Sequence, residues 1–179
     1  MNKRVQRNIL SQGDRDGACL LYSLANAKLA LTGKGVTPKA WSDSFDSLPF
    51  TMGEFLTQRG SGKLDDHPGC LELLGSGFLA GIGLVAKVEW SNKFTSVTRL
   101  RKYLRDGQLV ILVIDDGKHW VTAVDATNSE VFLACSSEAL EGAGLYEERC
   151  SPNLGRTFNR CVCFEGLKAT GMGLVVSTD

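Results

Sequence analysis

The hydrophobic period changes along the chain, and this change constrains the fold more than any other feature of the sequence. Before about residue 83, apolar residues recur at helical spacing. After residue 107, three short apolar runs follow one another as QLVILVI, HWVTAV and EVFLA, separated by the hairpin connectors DDGK and DATNS. We therefore predict an α+β protein, with a helical lobe over about residues 1–83 and an antiparallel β lobe over about residues 84–179.

Periodicity and turn residues also predict the individual elements. The expected helices cover residues 19–31, 38–48, 52–59, 68–79 and 96–105. The expected strands, besides the three apolar runs, cover residues 84–90, 160–164 and 173–177. Glycines interrupt the stretch LELLGSGFLAGIGL, which indicates close packing against a neighbouring element, and the segment 136–158 is predicted to be irregular.

Length and charge exclude several classes of function. A chain of 179 residues with 43% apolar residues is expected to form one domain around one core. Twenty basic residues balance twenty acidic ones, so neither nucleic acid nor an anionic membrane is expected as a partner. The sequence shows no apolar run of signal-peptide or membrane-span length, which favours a cytoplasmic protein; delivery as a secreted effector and the oligomeric state stay open.

The cysteines show neither paired CxxC spacing nor a dense disulfide pattern, so free thiols are expected. Cys135, Cys150, Cys161 and Cys163 together supply four thiols, which would suffice for a structural metal ion. Zinc sites usually contain two closely spaced ligand pairs, whereas only Cys161 and Cys163 are close in this sequence. We therefore predict no metal and no cofactor.

Cys19 and His119 are the residues on which a catalytic site would depend. Cys19 begins the first predicted helix, where unpaired amides and the helix dipole stabilise a thiolate, the reactive form of cysteine. His119 begins the HWVTAV strand directly after a turn, a position from which a side chain can face a cleft. The only other histidine, His67, precedes Pro68 at a predicted helix start and is more simply a capping or surface residue. Each of these residues taken alone would be unremarkable, and the pair is what favours nucleophilic catalysis.

Gln12 adds a third feature, because a side-chain amide beside the backbone NH of a nucleophile can stabilise an oxyanion. Gln12 and Gly13, then Gly17, Ala18 and Cys19, and later the GQLVI and HWV strands resemble the papain-like cysteine peptidases. The closest similarity is to the bacterial double-glycine leader peptidases, over residues 12–31 and 99–137. The resemblance implies a papain-like fold in which a helical lobe that carries the nucleophile packs on an antiparallel β lobe.

The sequence departs from this family at two points. Gln12 lies seven residues before Cys19 where the family usually has six, so its role as oxyanion donor requires a bulge in the loop. The family also orients its histidine with Asp or Asn on the next strand, whereas residues 133–137 read LACSS. Asp125 is excluded as a direct partner, because six residues of strand place it about 20 Å from His119. With a turn over residues 125–129, strand pairing places Cys135 opposite His119, or Ser136 if the register shifts by one residue; we predict Ser136, because a hydroxyl is the better hydrogen-bonding partner.

These residues predict a cysteine hydrolase, a peptidase or amidase acting on a peptide or protein, in which Cys19, His119, Gln12 and Ser136 form the site. An inactive papain-like module that binds a peptide or partner is the first alternative, favoured by the missing acidic or amide residue. Transfer of the acyl group to another acceptor, or deamidation, is the second, because the same acyl-enzyme serves these reactions. The acidic residues Glu138, Glu141, Glu147 and Glu148 would favour basic substrates if they faced the site.

Overall fold

The structure is a computed structural model that describes residues 8–11, 18–46, 48, 64, 67–137 and 147–178. The predicted α+β class is confirmed. The described helices are α1 (Cys19–Thr32), α2 (Pro38–Asp46), α3 (Pro68–Gly81) and α4 (Val97–Arg101). The sequence placed all four, although α4 is shorter than residues 96–105; the helix predicted over residues 52–59 lies outside the described residues.

The strands form one six-stranded antiparallel sheet and a two-stranded ribbon. The sheet strands are β1 (Lys87–Ser91), β2 (Gln108–Ile114), β3 (His119–Ala126), β4 (Glu130–Ala134), β7 (Arg160–Cys163) and β8 (Gly173–Ser177), in the spatial order β1-β8-β2-β3-β4-β7. The ribbon pairs β5 (Arg149–Cys150) with β6 (Thr157–Phe158). This ribbon corrects the prediction that residues 136–158 are irregular, because two-residue strands are too short to leave a periodic pattern in the sequence.

Helix α1 lies at the centre of the structure. It packs on β3 and β2 on one side and against α3 on another. Leu20 and Leu24 lie on one face of the helix and Ala25 and Leu29 on the opposite face, and all four are buried. The largest buried cluster includes side chains of these helices and of the sheet, so the helical part and the sheet share their apolar contacts.

The glycines of α3 allow the close packing that the sequence indicated. A Cβ atom on Gly75 would lie 3.0 Å from Cγ1 of Val88 on β1, and one on Gly81 would lie 2.7 Å from the Ser44 hydroxyl on α2. Gly77, between them, has open space around it. The two contact glycines therefore bring α3 close to the sheet and to α2. Within the residues that the structure describes, no helix is long and apolar enough to cross a membrane.

Candidate active site

Cys19 is the first residue of α1 and is half-buried. The first turn of this helix contains no acidic side chain that would compete with a thiolate for the positive end of the helix dipole. The preceding Ala18 is buried, and its carbonyl accepts the amide proton of Tyr22 at 3.1 Å, which begins the helical hydrogen-bond series. Cys19 therefore lies at the end of α1 where the backbone amides have no helical partner.

A buried serine fixes α1 to the strand that begins with His119. The Ser23 hydroxyl donates to the Trp120 carbonyl at 3.0 Å, and the Thr122 hydroxyl donates to the Ser23 carbonyl at 2.7 Å. In a helix, a side chain leans toward the N-terminus, whereas the backbone carbonyl of the same residue points toward the C-terminus. The hydroxyl of Ser23 contacts the earlier strand residue, Trp120, and its carbonyl contacts the later one, Thr122. Helix α1 and strand β3 therefore run in the same direction. Cys19 lies one turn before Ser23, about 6 Å along the helix, which equals about two residues of strand. Cys19 therefore lies level with His119.

The His119 ring is half-buried and contacts two neutral side chains through Nε2. The Cys135 thiol lies 3.6 Å from Nε2 and the Ser137 hydroxyl 3.5 Å from it, while Cys135 and Ser137 are themselves 3.1 Å apart. Cys135 is fully buried and Ser137 half-buried. These two residues occupy the position at which the resemblance implied an orienting Asp or Asn. They leave Nδ1 as the ring nitrogen available to a nucleophile.

The described contacts of His119 Nε2 come from Cys135 and Ser137, whereas Ser136 was predicted, and the position of the turn between β3 and β4 accounts for the difference. Strands β3 and β4 pair Ala126 with Val131, but the register shifts between Ala123 and Asp125, so that Thr122 pairs with Ala134. Continuing this pairing by three residues brings Ser137 opposite His119. The predicted turn over residues 125–129 was too early, because β3 extends to Ala126. The later turn moves the pairing three residues on from Cys135, and the bulge moves it back by one. Ser136 is buried in the turn that follows β4.

Asn159 fixes the backbone at the end of β4. Its side-chain oxygen accepts the Cys135 amide proton at 2.8 Å, and its side-chain nitrogen donates to the Cys135 carbonyl at 2.9 Å. The carboxamide thus replaces a neighbouring strand at the point where β4 ends. No pattern in the sequence indicates this contact, because Asn159 lies in a short connection between β6 and β7. These two bonds hold the backbone of Cys135, whose thiol contacts the His119 ring.

Cys19 and His119 lie at the same height along the common direction of α1 and β3. In the part of the chain that the structure describes, no hydrogen bond joins them. Strand alternation directs Thr122 toward α1 and His119 toward the opposite face of β3. A contact between the thiol and Nδ1 therefore has to form around the end of β3, where both the strand and α1 begin. Gln12 lies outside the described residues, so its part in the site stays a prediction.

Two polar residues hold the segment that leads to Gln12. The buried Asn26 side chain accepts the Leu10 amide proton at 2.9 Å, and the Glu148 carboxylate accepts those of Asn8 and Ile9 at 2.7 and 2.9 Å. Residues 8–11 are therefore attached to α1 two turns after Cys19. Ser23 and Asn26 interrupt an otherwise apolar helix sequence, and buried polar side chains require partners. That signal could have identified both residues before the structure was known.

Asp125 has a structural role at the opposite end of β3. Its carboxylate accepts hydrogen bonds from the amides of Asn153 at 2.8 Å, Leu154 at 3.0 Å and Ala126 at 2.7 Å, and from the Asn153 side chain at 3.2 Å. Burial by itself raises the pKa of this carboxyl, but the hydrogen bonds from Asn153, Leu154 and Ala126 outweigh burial and lower the pKa below 3.8. The exclusion of Asp125 as a partner of His119 agrees with these contacts.

We expect Asp125→Asn to lower the free energy of unfolding at neutral pH by about 2 kcal/mol, because charge-assisted hydrogen bonds to a buried carboxylate are lost. The pKa is lower in the folded state, so the carboxylate stabilises the fold fully above its unfolded pKa of about 3.9 and loses this effect as the pH falls through the folded pKa. Urea denaturation at several pH values measures both effects. A difference between the two proteins that is the same at pH 7 and pH 3 would contradict this explanation.

The described residues contain no group of three or more His, Cys, Asp or Glu side chains that could hold a metal ion. All six cysteines are free thiols. Cys161 and Cys163 lie on the edge strand β7, paired with Phe132 and Glu130 of β4, while Cys135 contacts His119 instead. The cysteines that a structural metal would need are thus distributed over different contacts.

A search against models of protein families gives no match, and no curated protein matches the chain either. The resemblance to papain-like peptidases therefore stays a prediction that rests on the residues themselves, and above all on the relation between the start of α1 and the start of β3.

Proposed function

We propose that this chain is a cysteine hydrolase with a papain-like fold, a peptidase or amidase in which Cys19 is the nucleophile and His119 the general base. The observation that carries the proposal is the attachment of α1 to β3 through Ser23, which brings the first residue of the helix level with the first residue of the strand. A helix start and an adjacent imidazole are the two features that activate a thiol.

The chemistry would proceed through an acyl-enzyme. The Cys19 thiolate attacks the carbonyl carbon of an amide, a C–S bond forms, and the carbonyl electron pair moves to oxygen, where the Cys19 amide and the Gln12 side chain donate hydrogen bonds. Collapse of this intermediate breaks the C–N bond, and the imidazolium of His119 gives its proton to the departing amine. His119 then removes a proton from water, which attacks the thioester and releases the carboxylic acid and the thiol.

We expect Cys19 to react with iodoacetamide at neutral pH at least about tenfold faster than the exposed Cys70, Cys150 and Cys163, because it begins a helix and, in the proposed site, has an imidazole partner. Cys161 should be the slowest of the partly accessible thiols, because burial, followed by the Glu130 carboxylate, raises the pKa of its thiol. Peptide mapping by mass spectrometry after short labelling times gives all the rates in one experiment.

The matched control is the same measurement on His119→Ala and on His67→Ala. Only His119→Ala should slow the labelling of Cys19, and neither variant should alter the rate at Cys70. If Cys19 reacts no faster than Cys70 in the unaltered protein, or if its rate does not depend on His119, the hydrolase proposal fails.

One observation favours a second candidate, a binding module that keeps the fold without the chemistry. The described partners of His119 Nε2 are a thiol and a hydroxyl, which stabilise an imidazolium less than a carboxylate does. A binding module would retain peptide affinity in Cys19→Ala and would show no rapid labelling of Cys19 in the unaltered protein. The labelling experiment therefore also separates these two functions.

A further inference from the structure

A cavity of about 270 Å³ lies beside α1, on the side of the helix that carries Tyr22. The described residues that line it carry no charge, and most are apolar: Leu10, Ser11, Tyr22, Val36, Thr37, Pro38 and Trp41. Its aromatic wall is formed by Tyr22 and Trp41, whose ring centroids are 4.8 Å apart. Trp41 is supported from behind by Phe45 and Phe78, with centroids at 5.3 and 5.5 Å, so the wall is fixed by the core.

The helix places this cavity next to Cys19. At 100° per residue, Ser23 points about 40° to one side of Cys19, and Tyr22 about 60° to the other side. Ser23 contacts β3, and Tyr22 lines the cavity. Cys19 therefore points between the histidine strand and the cavity, and Tyr22 follows it by only about 4.5 Å along the helix axis. Ser11, at the rim of the cavity, directly precedes Gln12.

From this geometry we infer that the cavity is the specificity pocket of the proposed enzyme and that it takes a bulky, uncharged, aromatic side chain from the acyl part of the substrate. The inference rests on the proposed function. A substrate carbonyl held over Cys19, between His119 and the cavity, directs its neighbouring side chain into the space between Leu10, Tyr22 and Trp41. The volume is below the range of drug-sized sites and suits one side chain.

An aromatic substrate side chain gains most from this lining. Tyr22 and Trp41 offer ring faces and edges for offset or edge-to-face contacts, which add to the burial of apolar surface. A lysine or arginine side chain would have to leave water without an ion-pair partner among the described lining residues. Glu148 is one of the acidic residues that would favour basic substrates if they faced the site, but its carboxylate is bonded to Asn8 and Ile9. The pocket thus favours aromatic over basic side chains.

The test compares the chloromethyl ketones of N-acetylphenylalanine, N-acetyllysine and N-acetylglycine. Each reagent reacts by the same step, in which the thiolate forms a C–S bond and displaces chloride. We expect the phenylalanine reagent to alkylate Cys19 about tenfold faster than the other two, relative to the rates at the exposed Cys70, which report intrinsic reactivity. The same side-chain preference at Cys19 and Cys70 would overturn the inference.

Trp41→Ala should abolish the preference for phenylalanine at Cys19. Tyr103→Ala is the matched control, because Tyr103 is also a half-buried aromatic residue but packs on Phe94, and it should keep the preference. Equal preferences in the two variants would also contradict the inference.

A binding measurement on the unaltered protein needs neither a variant nor a reactive thiol. N-acetylphenylalaninamide should shift the NMR resonance of the Trp41 indole NH, and N-acetyllysinamide should not. If iodoacetamide shows a His119-dependent Cys19 but phenylalanine is neither preferred nor bound, the pocket inference fails and the hydrolase proposal stands. If phenylalaninamide binds at Trp41 and Cys19 is unreactive, the hydrolase proposal fails instead.

Discussion

Replacing His119 by alanine should lower kcat/KM for hydrolysis of a phenylalanine-containing peptide amide by about a thousandfold, within the range that general acid–base catalysis usually contributes. In the proposed mechanism, the substitution removes the group that stabilises the thiolate, protonates the leaving amine and activates water. It should leave the free energy of unfolding nearly unchanged, because position 119 contributes its backbone to the pairing with Ile114 of β2 and its side chain is only half-buried.

His67 provides the matched control for this experiment. It is the only other histidine, it is exposed at the start of α3, and its contacts to Cys70 and Leu71 are made by its backbone carbonyl. His67→Ala should therefore keep full activity. If the turnover of His119→Ala is within about threefold of that of the unaltered protein, the loss is too small for the removal of a general base. Another group must then be the base.

The strands and the first helix could be predicted because their sequence patterns are local. The run HWVTAV is rich in aromatic and β-branched residues and follows a turn. Helix α1 is closed by Gly33, which adopts φ of 67° as a C-terminal glycine should. These elements needed no knowledge of their neighbours. The ribbon of β5 and β6 could not be found in this way, because each of its strands has only two residues.

The partner of His119 depended on long-range information that the sequence does not display. Counting from the predicted turn leads to Cys135 or Ser136, whereas the later turn moves the pairing on by three residues from Cys135 and the bulge near Val124 moves it back by one, to Ser137. The structure explains the bulge by the contacts around it: Asp125 binds the backbone of Asn153 and Leu154, and the buried Arg156 donates to the Val124 carbonyl at 3.1 Å. Residues far along the chain thus set the register at His119.

The helix packing that supports the site was also beyond local patterns, although part of it was readable. The apolar sequence of α1 predicts a buried helix but not the direction in which it crosses the sheet. Ser23 supplies that direction, because its hydroxyl and carbonyl bond to β3 at Trp120 and Thr122. A single buried polar residue therefore determines whether the two ends that carry Cys19 and His119 come together.

Removing both neutral partners of His119 should have the second largest effect on catalysis. In Cys135→Ala/Ser137→Ala we expect kcat to fall about a hundredfold, because neither side chain remains to accept the Nε2 proton and hold Nδ1 in the basic form that the proposed mechanism requires. The loss should be smaller than for His119→Ala, since the imidazole itself is still present. KM should change little, because Cys135 is fully buried and cannot contact substrate.

Three further variants distinguish positioning of the ring from a general loosening of β4. Ser137→Thr, made in the Cys135→Ala background, should restore most of the rate by keeping the hydroxyl. Ser137→Asp should shift the pH–rate profile to higher pH, because a carboxylate beside the ring raises the pKa of an imidazole. Ser136→Ala, one residue away in the turn after β4, should keep the activity of the unaltered protein, because the described contacts of Nε2 are to Cys135 and Ser137. A loss in Ser136→Ala equal to that of the double variant would show that the bulged pairing is wrong and that the hairpin continues in the register counted from the sequence.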